Sequence, residues 1–150
     1  MLGSGAMVWL GTAVALSVHR RTPWPLLHVA TTALATFAVV TALKLIVRRD
    51  RPPAVVLEPE PLLEVPTTSS FPSGHAASSF ACAYVLARFA PRLAIPLFVL
   101  AAGIAFSRVY TGVHYPLDVT VGAVLGLVVA TALLRLLRDL RRSRPAPPPG

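Results

Sequence analysis

Lys44, Arg51, Ser73, Gly74, His75, Arg108, His114 and Asp118 are the residues of this chain whose types and spacing can do chemistry. Read in order they form K-x6-R-P from Lys44 to Pro52, P-S-G-H from Pro72 to His75, and S-R-x5-H-x3-D from Ser107 to Asp118. All lie at the ends of apolar stretches, where charges and histidines are costly unless they have a task. Three cations, two histidines and one carboxylate at one end of such stretches point to a site for a phosphate ester. Arg51 and Arg108 can fork onto phosphate oxygens, and Lys44 adds a point charge. Pro72-Ser73-Gly74-His75 reads as a helix start with Ser73 near the cap, and free N–H groups there attract phosphate. Gly74 lets a backbone approach closely. Pro116 suits the first turn of a later helix, with Asp118 in that turn. His114 then lies just ahead of the helix, within reach of Asp118. A carboxylate on one ring nitrogen fixes the tautomer and frees the other nitrogen to attack.

Each member also has a plainer reading. His114 and Asp118 alone would serve as a helix-start hydrogen bond or as metal ligands, although three nearby cations disfavour a divalent metal. Ser73-Gly74 alone is an ordinary cap, and Lys44 alone can snorkel to the interface. Arg48, Arg49 and Asp50 read as interfacial charges with no chemistry. His19 and His28 match no pattern and read as structural.

The elements that must position these groups are membrane helices. Of 150 residues, 55% are apolar and 13% charged, against about 25% charged in soluble chains. A span needs about 20 mostly apolar residues. Five candidates are present: 2–18, 25–47, 76–90, 93–110 and 117–134, the third and fourth short and divided by the turn Phe89-Ala90-Pro91-Arg92. The fold expected is an all-α, polytopic membrane helix bundle of one domain, residues 1–142. Residues 143–150 would be a Pro-rich disordered tail. The first span reads as retained rather than as a cleaved signal peptide, because its positive charge follows the apolar core.

Alternation of spans brings Lys44, Arg51, Ser73, Gly74, His75, Arg108, His114 and Asp118 to one face. Nine basic residues (Arg20, Arg21, Arg88, Arg92, Arg135, Arg138, Arg141, Arg142, Arg144) fall on the other face and five on the site's face. By the positive-inside rule the nine are cytoplasmic. The carboxyl terminus is then cytoplasmic and the site external. The net charge of +8 thus reads as an orientation signal near anionic lipid, not as a nucleic-acid surface. Cys82, the lone cysteine, reads as a small buried apolar residue. Gly122 and Gly126 form G-x-x-x-G, which permits close helix packing inside the monomer. Nothing in the sequence speaks to oligomeric state.

The three motif blocks, in this order and spacing, resemble the signature of the type 2 phosphatidic acid phosphatase superfamily. The segment Arg108-Val109-Tyr110-Thr111-Gly112-Val113-His114-Tyr115-Pro116-Leu117-Asp118 is similar to its bacterial membrane branch. The resemblance covers Lys44 to Asp118, about half of the chain. It implies that His114 is the nucleophile that becomes phosphohistidine, that Asp118 orients it, and that His75 protonates the leaving oxygen. Lys44, Arg51, Ser73, Gly74 and Arg108 would bind the phosphoryl group, and no metal or other cofactor would be needed. Membrane members typically have six spans, so the expected count of five implies one more ahead of the first. The resulting expectation is a hydrolase of the bacterial plasma membrane acting on a lipid phosphate or pyrophosphate. Isoprenoid or polyprenyl phosphates, undecaprenyl pyrophosphate of cell-envelope synthesis among them, and phospholipid phosphates are candidate substrates. The alternative is a non-catalytic membrane protein that binds or conducts anions, which would not need His75, His114 and Asp118 in their spacing.

Overall fold

The computed structural model describes residues 4–52 and 67–143. Among the described residues five α-helices run α1 (Ser4–His19), α2 (Trp24–Val47), α3 (Gly74–Phe89), α4 (Ala94–Tyr110) and α5 (Pro116–Arg142), with a 3-10 turn at Pro91–Leu93 between α3 and α4. No strand occurs among the described residues, as expected for an all-α bundle. Prolines open two helices: Pro25 and Pro116 lie in the first turns of α2 and α5, where no N–H is needed. α2 stops at Arg48, whose left-handed backbone (φ 47°) lets its N–H close onto the Lys44 carbonyl. Both ends aim polar residues at one end of the bundle.

Among the described residues, three helical stretches are long and apolar enough to cross a membrane: Trp24–Val47, Pro91–Tyr110 and Pro116–Leu140. The first and third expected spans are shorter. α1 and α3 have 16 residues each, about 24 Å of helix at 1.5 Å per residue. For α3 the physical reason is burial. It packs against all four other helices and buries Ala76, Ala77, Ser79, Ala81, Cys82, Ala83, Val85 and Leu86 around its circumference. A helix enclosed by protein needs small side chains rather than a lipid-facing apolar surface. Cys82 is one of them, 1% exposed. Ser79 accepts a 3.1 Å hydrogen bond from Trp9 Nε1 of α1, which satisfies a buried indole. Leu34, Phe37, Ile46, Ile95, Val99, Phe106, Val124 and Val128 instead face outward, as a hydrocarbon solvent favours.

α3 packs most extensively on α5, along Asp118, Gly122, Gly126 and Ala130, each buried and spaced by one helical turn. A Cβ on Gly126 would stand 2.0 Å from the Ala77 carbonyl oxygen, and one on Gly122 2.5 Å from that of Ser73. The G-x-x-x-G therefore works inside the monomer, where it brings the start of α5 against the start of α3. α5 runs to Arg142, two turns past the Leu134 expected from apolarity alone. Its last turns carry the arginines on an exposed helix. Apart from Ser143, the expected Pro-rich tail lies outside the described residues.

Candidate active site

Arg51 follows α2 and is 6% exposed. Its guanidinium donates to backbone on both sides: Nε to the Thr68 carbonyl at 2.9 Å, Nη1 to the Val113 carbonyl at 2.8 Å. Nη2 donates to Thr68 Oγ1 at 3.2 Å. One buried cation thus ties the α2–α3 connection to the α4–α5 loop. Nη1 also lies 3.3 Å from His114 Nε2. Lys44, in the last turn of α2, donates Nζ to the Ser69 carbonyl.

His114 and Asp118 are buried, at 5% and 0% exposure. Their nearest polar atoms, Nδ1 and Oδ2, are 3.7 Å apart, beyond hydrogen-bond length. The direct bond expected from their spacing is replaced by a bridge. Ser70 Oγ lies 3.4 Å from His114 Nδ1 and donates to Asp118 Oδ2. The other carboxylate oxygen, Oδ1, accepts from Arg49 Nη1 at 2.8 Å. The Tyr115 N–H donates to Oδ2 at 3.1 Å, half of a capping box at the α5 start. The Arg49 guanidinium also sits 4.1 Å above the Tyr115 ring, a cation–π contact.

Arg49 is a correction to the sequence reading, which treated it with Arg48 and Asp50 as an interfacial charge. Its partner is 69 residues away, and no local pattern announces such a pair. Ser70, separated from the P-S-G-H block by Phe71, is likewise brought to the site only by the fold. A serine before a proline-containing turn looks like loop material. Arg48, by contrast, is exposed and donates its Nε to the Leu45 carbonyl at 3.0 Å. His28 is structural as expected, edge-on to Trp24 and Phe89 at the opposite end of the bundle.

Ser73 caps α3 in an extended conformation. Its N–H donates to the Asp118 carbonyl at 2.9 Å, while its buried Oγ has no hydrogen-bond partner among the described residues. A buried hydroxyl without a partner is costly. A Cβ on Gly74 would meet only Val40 Cγ1 at an ordinary 3.5 Å, so packing within the chain does not demand glycine there. His75 occupies the first turn of α3, within electrostatic reach of Arg108, Arg51 and Lys44. Arg108 ends α4, where its Nε donates to Ser107 Oγ at 3.2 Å and its carbonyl accepts the His114 N–H at 3.2 Å. All eight residues singled out by the sequence therefore stand at one end of the bundle. Among the described residues, no three His, Cys, Asp or Glu side chains gather as metal ligands would.

Burial pushes the His114 imidazole down from 6.5 to about 4, helped by the Arg51 and Lys44 charges and opposed by Asp118. A neutral ring at neutral pH is the form that can attack. Because the folded value lies below the ordinary one, His114 stays unprotonated as pH falls through 6.5 and gains its proton only near 4. In ¹⁵N NMR of histidine-labelled protein, the His114 resonances should hold constant from pH 8 to 5. A midpoint near 6.5 would contradict this environment.

Comparison with known proteins places this geometry. The family model "PAP2 superfamily" matches residues 25–142. Decaprenylphosphoryl-5-phosphoribose phosphatase of Mycobacterium tuberculosis is 40% identical over 119 residues, 78% of this chain and 62% of that protein. The chain thus spans about three fifths of the length of this relative. Among solved structures, LpxE of Aquifex aeolicus superposes with a TM-score of 0.73 at 32% identity, covering 89% of this chain and 79% of that one. The transmembrane PAP2 type phosphatidylglycerolphosphate phosphatase of Bacillus subtilis superposes with a TM-score of 0.71 at 26% identity, covering 95% of this chain and 74% of that one. With its apolar helices and these membrane relatives, the chain is an integral membrane protein. The family match contains every motif block that builds the polar end of the bundle, and the chain belongs to the PAP2 superfamily.

Proposed function

We propose that this chain is a lipid phosphatase. It hydrolyses a phosphate or pyrophosphate carried by a membrane lipid, by way of a phosphohistidine on His114. The observation that carries the reading is the disposition of charge around one imidazole. Arg51 stands at Nε2 with Lys44 close by, and a carboxylate lies on the Nδ1 side. A phosphoryl group at Nε2 would be met by Lys44, Arg51 and Arg108, by the unpartnered Ser73 Oγ and by the first N–H groups of α3. Phosphoryl transfer needs mostly this positioning and charge stabilisation. Nε2 attacks phosphorus, the ester oxygen leaves with the bonding electrons, and His75 supplies its proton. Water then cleaves the P–N bond. His75, His114 and Asp118 would be idle in a protein that only bound or conducted anions.

The substrate class follows from location. The site is at the end of apolar helices, so a substrate with its tail in the bilayer reaches it without leaving the membrane. The relatives' names point the same way: a polyprenyl phosphosugar in one, a glycerophospholipid phosphate in another. The deciding experiment is phosphate release from a panel of polyprenyl phosphates, polyprenyl pyrophosphates and phospholipid phosphates by purified protein, beside His114→Ala. At least one lipid should release phosphate with wild type alone, in chelator as well as in Mg²⁺, and vanadate should inhibit. Equal release by both proteins, or a requirement for Mg²⁺, would reject the mechanism.

The site's face is external in this reading, on the strength of the nine basic residues at the other end. Thr67 is exposed, whereas Thr68 is engaged by Arg51. In a Cys82→Ser background, Thr67→Cys should react with an impermeant thiol reagent in intact cells, and Ser143→Cys should not. The reverse pattern would put the site in the cytoplasm.

A further inference from the structure

Ser70 lies outside the motif blocks and Arg49 fills one of the unspecified positions of K-x6-R-P, yet both touch Asp118. We propose that Ser70 is the hydrogen-bond link between His114 and Asp118, and that Arg49 anchors the far oxygen of that carboxylate, so that both are positioning residues for the nucleophile. The proposal rests on the reading of His114 as nucleophile.

The direction of the link follows from which groups can only donate. A guanidinium has no acceptor, so the Arg51 Nη1 contact at 3.3 Å makes His114 Nε2 the bare nitrogen and puts the ring proton on Nδ1. An ionised carboxylate only accepts, so the Ser70 hydroxyl proton points at Asp118 Oδ2. The Ser70 lone pairs then face Nδ1–H, 3.4 Å away. One chain results: His114 Nδ1–H to Ser70 Oγ–H to Asp118 Oδ2. A hydroxyl is the one side-chain type that can both accept and donate at a single small atom.

Arg49 completes the far side. Its Nη1 holds Oδ1 at 2.8 Å while the guanidinium rests on the Tyr115 ring. That leaves Oδ2 facing Ser70. The two residues are also joined by backbone: the Ser70 N–H donates to the Arg49 carbonyl at 2.8 Å. The segment after α2 and the segment before α3 are thus set together around the carboxylate. When Nε2 bonds phosphorus the ring becomes a cation, with its proton still on Nδ1. That proton strengthens its bond to Ser70, and Asp118 answers the charge through the hydroxyl. No proton leaves Nδ1 when water later cleaves the P–N bond.

The test uses the full chain in detergent micelles, with wild type, Ser70→Ala, Ser70→Thr, Asp118→Asn, the Ser70→Ala/Asp118→Asn double variant, Arg49→Gln and Arg49→Lys. On a polyprenyl phosphate, Ser70→Ala should lower kcat by roughly 10- to 100-fold, the range seen when metal-bound imidazoles lose their outer hydrogen-bond partner, and should leave KM within about threefold. Ser70→Thr should keep most of kcat. The double variant should lose little beyond Asp118→Asn, because members of one chain are not additive. Arg49→Gln should lower kcat without raising KM, and Arg49→Lys should recover part of it. Wild-type kcat in Ser70→Ala, or multiplied losses in the double variant, would overturn the link. A raised KM in Arg49→Gln would mean that Arg49 meets the substrate instead.

A second readout does not depend on turnover. In ¹⁵N spectra at pH 7, wild-type His114 should carry its proton on Nδ1, and Ser70→Ala should shift it toward a mixture of tautomers. A wild-type ring protonated at Nε2 overturns the proposal whatever the activity. A wild type with the expected tautomer that hydrolyses no lipid phosphate rejects the lipid phosphatase reading and leaves the chain of hydrogen bonds standing.

Discussion

His114→Ala should show no detectable turnover on any substrate, whereas His75→Ala should keep a trace that grows as the leaving group improves. In the proposed mechanism, removing Nε2 of His114 removes the atom that bonds phosphorus. Loss of His75 removes only a proton donor. General acid catalysis contributes typically 10² to 10⁴ in rate, so His75→Ala should fall by about that factor on a lipid monophosphate. The loss should shrink on an aryl phosphate or a pyrophosphate, whose leaving oxygen needs no proton. His75 suits the acid role by position. It lies in the first turn of α3, with no carboxylate bonded to its ring among the described residues. The comparison requires both variants on both kinds of ester. Rescue of His114→Ala by the activated ester, with His75→Ala left inactive, would reverse the two roles.

Gly126→Ala should cost about 3 kcal/mol or more, at or beyond the upper end for overpacked cores. The added methyl would stand 2.0 Å from the Ala77 carbonyl oxygen and 2.8 Å from its carbon. Both are backbone atoms of an enclosed helix, so no side chain can swing aside. The helices must part, and the start of α5 must move away from the start of α3. Asp118 and Ser73 sit two turns and one turn up that seam, joined by the 2.9 Å bond from the Ser73 N–H. Activity should therefore fall along with the thermal midpoint. Gly103→Ala is the control: a Cβ there meets nothing within 4 Å, and the midpoint should move little. Thermal unfolding in detergent, followed by the fluorescence of Trp9 and Trp24, measures both. An unchanged midpoint for Gly126→Ala would mean that α3 and α5 do not touch along this line.

The all-α membrane bundle, the helix order and the end at which the polar residues gather are legible in the amino-acid sequence. Those follow from one-dimensional facts. Apolar runs have lengths, Pro25 and Pro116 mark helix starts, and consecutive spans must alternate in direction. Lys44, Arg51, Ser73, Gly74, His75, Arg108, His114 and Asp118 therefore reach one end whatever the packing. The glycine spacing in α5 was legible too, because a one-turn repeat of small residues lies on one helix face.

The pairing of the polar groups depends on contacts between segments distant in the chain. Spacing four residues apart suggested that His114 and Asp118 bond directly. In the fold their atoms stop at 3.7 Å, because His114 belongs to a loop and Asp118 to the first turn of α5, and Ser70 fills the gap from a third segment. Arg49 looked like its neighbours Arg48 and Asp50. It differs from them through a carboxylate 69 residues away, a distance over which local pattern carries no information. The enclosure of α3 was hidden for the same reason. Its alanines and serines read as a short, weak span, whereas burial by four helices is what requires them to be small.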